Sequence, residues 1–127
     1  MMDADQRRPV FFDLPRISFP VGAITSIGHR ISGVALAFCT PILIYLLDAS
    51  LSGAGEYARI RTLLDTAFAR VFTAVLLWAF CHHLLAGIRH LLMDIDVGSS
   101  LWAARRTAWF VNVAAIALAV LGTVLLV

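Results

Sequence analysis

Four histidines stand in a chain of 127 residues that is 61% hydrophobic and only 14% charged. Three of them, His82, His83 and His90, share one segment, and the fourth, His29, adjoins Arg30. His83, Gly87, His90 and Asp94 are spaced i, i+4, i+7 and i+11, which on a helix makes one stripe. The stripe runs from an apolar middle, through an imidazole, to a carboxylate about 16 Å further along the axis. A neutral imidazole among apolar residues has two common uses: a hydrogen bond to a neighbouring helix, or axial ligation of haem iron. Gly87 removes a side chain that would collide with a flat macrocycle, and equally lets two helices approach closely. Spacing alone leaves both open. His82 faces about 100° away from His83 and reads as a hydrogen-bonding or interfacial histidine, because adjacent residues on one helix cannot bracket one iron atom.

A second group lies nearer the N-terminus. Ser26, Arg30 and Gly33 share a helical face, with His29 beside them. A hydroxyl and a guanidinium at a membrane boundary can hydrogen-bond a carbonyl oxygen or hold a carboxylate. The same residues also describe a serine in a first helical turn and an arginine that snorkels to lipid phosphate. Cys39 and Cys81 lie inside apolar runs and read as packing residues, so neither a disulfide nor a thiolate metal site is expected.

The elements that position these groups follow from the charge distribution. All 18 charges, ten arginines and eight acids with no lysine, avoid three windows: Ile31 to Leu47, Val71 to Ile88 and Thr107 to Val127. A soluble domain carries about a quarter of its residues as charges spread throughout. Segregation of this kind excludes an ordinary cytosolic domain, a disordered chain and a nucleic-acid binder. Each window reaches the roughly 17–25 residues needed to span a bilayer once its uncharged neighbours are added. None alternates as a barrel strand would. The fold class is therefore an all-α membrane protein with three transmembrane helices.

A single membrane-anchor domain covers residues 1–127, with a proline-broken interfacial arm over 1–22. The helices are expected at about 23–48, 62–94 and 102–127, with Pro41 kinking the first and a loop from Ala49 to Arg61. No signal peptide is visible, and the first spanning helix is expected to serve as its own insertion signal. Arg7, Arg8, Arg16, Arg30, Arg89, Arg105 and Arg106 fall to one side, against Arg59, Arg61 and Arg70 on the other. That bias predicts a cytoplasmic N-terminus and a C-terminus outside, or a matrix-side N-terminus in a mitochondrion.

Two blocks go beyond periodicity. The first reads Arg8-Pro9, then Ser26-Ile27-Gly28-His29-Arg30-Ile31-Ser32-Gly33; the second runs His83-Leu84-Leu85-Ala86-Gly87-Ile88-Arg89-His90, closing on Asp94. Together they resemble the two signatures of the cytochrome b556 subunit family of succinate dehydrogenase, with every key position at the family's spacing. Helix count, size and orientation extend the resemblance over essentially the whole chain.

The resemblance implies a three-helix anchor of complex II, half of a haem-bridged heterodimeric membrane anchor. In such a complex a flavoprotein subunit oxidises succinate, and electrons pass through an iron–sulfur subunit to ubiquinone. His83 matches the family's axial ligand to haem b, the other ligand coming from a second small anchor subunit. Ser26 and Arg30 match its quinone-site residues. His29 and Arg30 match its haem-propionate contacts. His90 and Asp94 are candidates for a proton relay or, with better support, for the subunit interface and the end of helix 2. The chain would not be catalytic by itself, since no flavin, dicarboxylate or iron–sulfur site can be built from it. Its location would be a bacterial inner membrane, or the mitochondrial inner membrane in a eukaryote. Two other readings remain: a related anchor that keeps assembly and docking functions without haem, and a small transporter or channel subunit. The last lacks a mid-membrane acid, because Asp48, Asp65, Asp94 and Asp96 all fall at helix ends.

Overall fold

The computed structural model describes residues 18–126. Arg7, Arg8, Pro9 and Arg16, and with them most of the expected arm, lie outside the described residues. Four helices follow in order: α1 (Val21–Leu51), α2 (Ala54–Leu64), α3 (Ala67–Asp94) and α4 (Leu101–Leu126). Three of them, α1, α3 and α4, are long and apolar enough to cross a membrane. At 1.5 Å per residue they are about 46, 42 and 39 Å long, more than a bilayer core requires.

Helix α1 starts where Pro20, in extended conformation, supplies its carbonyl to the amides of Ala23 and Ile24. It passes through Pro41 as one uninterrupted element. It also runs three residues past the expected Asp48. The hydroxyls of Ser50 and Ser52 return to the carbonyls of Leu47 and Ala49 at 2.7 and 2.8 Å, which satisfies acceptors that a helix end leaves open.

The stretch read as a loop holds helix α2 instead. Glu56 in its first turn and Arg61 in its last oppose the helix dipole favourably, so a polar segment too short to span still coils. The second expected helix correspondingly begins later, at Ala67. Thr66 stops the chain from running through: it adopts an extended conformation and its hydroxyl accepts the Ala69 amide at 3.3 Å, an N-cap.

Helix α3 is central, in contact with α1, α2 and α4. The buried apolar positions are small: Ala79 and Ala86 on α3, and Ala108, Val111, Ala115 and Ala119 on α4. Large apolar side chains such as Phe38, Phe68, Trp109 and Phe110 point outward. This inversion is what lipid demands. Lipid tails are as apolar as leucine, so helices associate through close backbone approach and polar bridges rather than by burying large side chains.

The α3–α4 turn closes by backbone bonding. The Val97 amide reaches the Leu92 carbonyl at 2.9 Å and the Asp96 amide reaches that of Met93 at 3.0 Å, with Asp96 itself at φ 62°. Asp96 thus takes the left-handed position that usually falls to glycine in this motif. Arg89, counted above as an orientation marker, is buried at 8% exposure and pins the two helices together. Its Nε donates to the Thr107 hydroxyl and its Nη2 to the Ala104 carbonyl, both at 3.1 Å. A guanidinium can be held there because backbone and hydroxyl acceptors replace its water.

Candidate functional site

A polar stripe of α1, Thr25, His29 and Ser32 at i, i+4 and i+7, faces the other two spans: Thr25 meets Asn112 of α4, and His29 and Ser32 meet His83 of α3. Thr25 and Ser32 are the largest side chains to be fully buried. His83 meets this stripe. Its Nδ1 lies 3.0 Å from the His29 carbonyl oxygen and 3.5 Å from the Ser32 hydroxyl, which itself donates to that same carbonyl at 3.0 Å. A carbonyl oxygen can only accept. Nδ1 therefore carries a proton, and in the neutral form of the ring the lone pair is left on Nε2. No hydrogen bond reaches Nε2 among the described residues.

Rings and glycines complete the setting. The His29 imidazole stacks on that of His83 with centroids 4.2 Å apart and planes within 10°; His90 stands against His29 at 5.0 Å, tilted by 60°. Gly33 makes room for the His83 ring, because a Cβ there would sit 2.7 Å from its Cε1. Gly87, expected either to clear a macrocycle or to let helices approach, faces the His29 ring, whose Nε2 lies 3.4 Å from where its Cβ would be.

His82 is the more deeply buried of the pair, at 3% exposure. It points towards α4 and the start of α1. The Thr25 hydroxyl has one proton and two acceptors, the Val21 carbonyl at 3.0 Å and Asn112 Oδ1 at 3.3 Å; with the proton on the nearer carbonyl, Thr25 accepts from Asn112 Nδ2 at 3.0 Å. That turns Asn112 Oδ1 towards His82 Nε2, 3.1 Å away, and makes Nε2 the donor. Adjacent histidines thus hold opposite tautomers. The ring fits because Gly28 lacks a Cβ, which would lie 2.8 Å from His82 Cε1.

The structure therefore brings together His29, His83 and His90. It leaves the other expected residues apart from them. Arg30 is exposed and Ser26 half-buried, one turn away on α1, and neither side chain makes a hydrogen bond or ion pair among the described residues. Asp94 is the exposed last residue of α3. An apolar groove of about 370 Å³ between α3 and α4, lined by residues including Trp78, Ile116 and Val120, contains none of these groups. Thr25 and Asn112 stand outside both motif blocks, whereas Gly28 and Ser32 belong to the first of them without a role of their own there. One available signal was Asn112 itself, the sole asparagine, inside a charge-free window.

Among the described residues no three His, Cys, Asp or Glu side chains converge so that they could hold one metal ion, His29, His83 and His90 included. Haem iron does not ask for one, since it takes a single protein ligand on each face. The donor at His83 fits such a group: a neutral imidazole, Nδ1 tied to a carbonyl, Nε2 open, with Gly33 giving the ring its place. A bond from the remote nitrogen is the usual support for a metal-ligating histidine.

Three apolar spans with imidazoles gathered between two of them define a small multi-pass helical membrane protein with an intramembrane polar site. The chain belongs to the succinate dehydrogenase/fumarate reductase transmembrane subunit family, which it matches over residues 4–123. It is similar to the succinate dehydrogenase cytochrome b556 subunit of Coxiella burnetii, at 40% identity over 108 residues, covering 84% of this chain and 86% of that one. The corresponding proteins of Rickettsia typhi and Paracoccus denitrificans are 34% and 31% identical. Those matches cover 91% and 90% of this chain, and 90% and 88% of theirs.

Proposed function

We propose that this membrane anchor subunit ligates haem b through His83 and forms part of a ubiquinone-reduction site with Ser26 and Arg30. The observation that carries the reading is the His83 tautomer, with Nδ1 spent on the His29 carbonyl and Nε2 available. Bound haem b supplies a one-electron carrier within the membrane. The chain's own residues do the rest. Ser32 shares the His29 carbonyl with His83, and the His29 ring covers one face of the ligand imidazole. His29 and Arg30 are assigned to the propionates. His29 stacks on the His83 ring, and a further haem ligand would come from a second anchor subunit.

Ser26 offers a hydroxyl to a quinone carbonyl, and Arg30 offers a fixed positive charge where reduction builds negative charge on the quinone oxygens. His90 supports His29 at the subunit interface, and Asp94 marks the end of α3. Electrons reach the quinone from succinate through a flavoprotein and an iron–sulfur subunit. Purification of the complex by a tag on this chain should bring down three further subunits with a reduced-minus-oxidised spectrum of b type. Four subunits without that spectrum would support the haem-free anchor instead.

The membrane is assigned as a bacterial inner membrane with the N-terminus cytoplasmic, on the arginine bias. A periplasmic-active reporter fused after Val127 should be active, and a cytoplasmic-active one silent. The reverse pattern overturns the orientation.

A further inference from the structure

Two neighbouring histidines on one helix pose a selection problem. Either imidazole could serve an iron atom, and a rotation of α3 by about 100° would bring His82 to the azimuth of His83. The ligand chemistry does not distinguish them, so the fold has to. The structure contains two sockets on α1, and each takes one ring. Gly33 receives His83, and Gly28 receives His82. The sockets differ in their polar partners. The Gly33 socket has carbonyl and hydroxyl oxygens that hold Nδ1–H and leave Nε2 open. At the Gly28 socket, Asn112 Oδ1 takes the proton of Nε2, the nitrogen that would otherwise face a metal.

We infer that the Thr25–Asn112–His82 chain is a positioning device that withholds His82 from the iron and fixes the rotation of α3, so that His83 alone is presented. Resting on the haem reading above, the inference adds three residues on three spanning helices to it. Thr25 on α1 aims the Asn112 amide, and Asn112 on α4 commits Nε2 of His82 as a donor. With Nε2 protonated and bonded, His82 has no lone pair there to give. Its other nitrogen, Nδ1, is buried and has no hydrogen-bond partner among the described residues. That atom is enclosed, so it does not offer a route to a macrocycle either. The two tautomers are therefore complementary: one ring keeps Nε2 for a ligand, and its neighbour gives Nε2 away.

The test uses the assembled complex and the electron paramagnetic resonance of its oxidised haem, alongside the midpoint potential. The parent and His82→Phe complexes should each show one low-spin species at the same potential. Asn112→Leu, of similar size and unable to accept, should add a second species, with the ratio of the two ligation states shifted by about fivefold or more. The double variant, Asn112→Leu with His82→Phe, should return to one species, because only His83 remains to ligate. A single unchanged species in Asn112→Leu would overturn the inference, as would a second species that persists in the double variant. If Asn112→Leu does not assemble, Thr25→Val replaces it, with the same expectation and the same refutation. A parent complex without a b-type signal would sink the haem reading and this inference with it. A parent with normal haem beside an unaltered Asn112→Leu would sink this inference alone.

Discussion

A complex carrying His83→Ala should lose its b-type haem, with occupancy falling by more than about tenfold. Outer supports of a metal ligand already cost about 10–100-fold in affinity when removed, and this change removes the ligand itself. The loss should not come from collapse of the anchor. His83 is half-buried, and the His29 carbonyl it leaves behind still accepts the Ser32 hydroxyl at 3.0 Å. The small-residue contacts of α3 with α4 are untouched. The four subunits should therefore still co-purify, and the flavoprotein should still reduce an artificial dye. Survival of the full α band in this complex would refute the ligand assignment. His83→Ala with the band intact and His82→Ala without it would move the ligand one residue along α3.

The second large effect is expected at Arg30. Arg30→Leu should lower ubiquinone reduction by about a hundredfold while leaving dye reduction by the flavoprotein unchanged. Removing one preorganised group that stabilises developing charge commonly costs 10²–10³ in rate. Ser26→Ala should cost less, about tenfold at most, because a neutral hydrogen bond contributes only about 0.5–1.5 kcal/mol. Neither change leaves an unsatisfied partner among the described residues, since neither side chain is bonded there. Equal loss of both activities in Arg30→Leu would indicate failed assembly and would remove the quinone role from this residue. Full retention of quinone reduction would remove it as well.

Arg30 and Arg89 show how differently two charges of one type can be placed. In the sequence both flank apolar runs and both add to the same side of the arginine bias. Arg30 stays exposed on α1. Arg89 is buried against the first turns of α4, where the Ala104 carbonyl and the Thr107 hydroxyl receive it. Those acceptors are 15 and 18 residues distant in the chain, and no local pattern links them to it.

The three spans were legible from the sequence because hydrocarbon admits only long charge-free helices, and a charge count finds them without knowledge of neighbours. The histidine stripe of α3 was legible for a related reason: helical periodicity fixes which residues share a face. The break at Asp65–Thr66 was harder to see. The apolar run resumes directly after it, and only the Thr66 cap, holding the Ala69 amide, marks where α3 begins.

What the sequence could not determine is which protons the imidazoles carry. His82 and His83 are the same residue side by side, and their difference comes from what faces them across the bundle. The His29 carbonyl meets one and the Asn112 amide oxygen meets the other. Composition and period therefore determined that this is a three-span membrane chain with histidines inside it. Tertiary structure alone decided which nitrogen is left open, because a tautomer is set by the acceptor a ring finds in space, not by its neighbours in the chain.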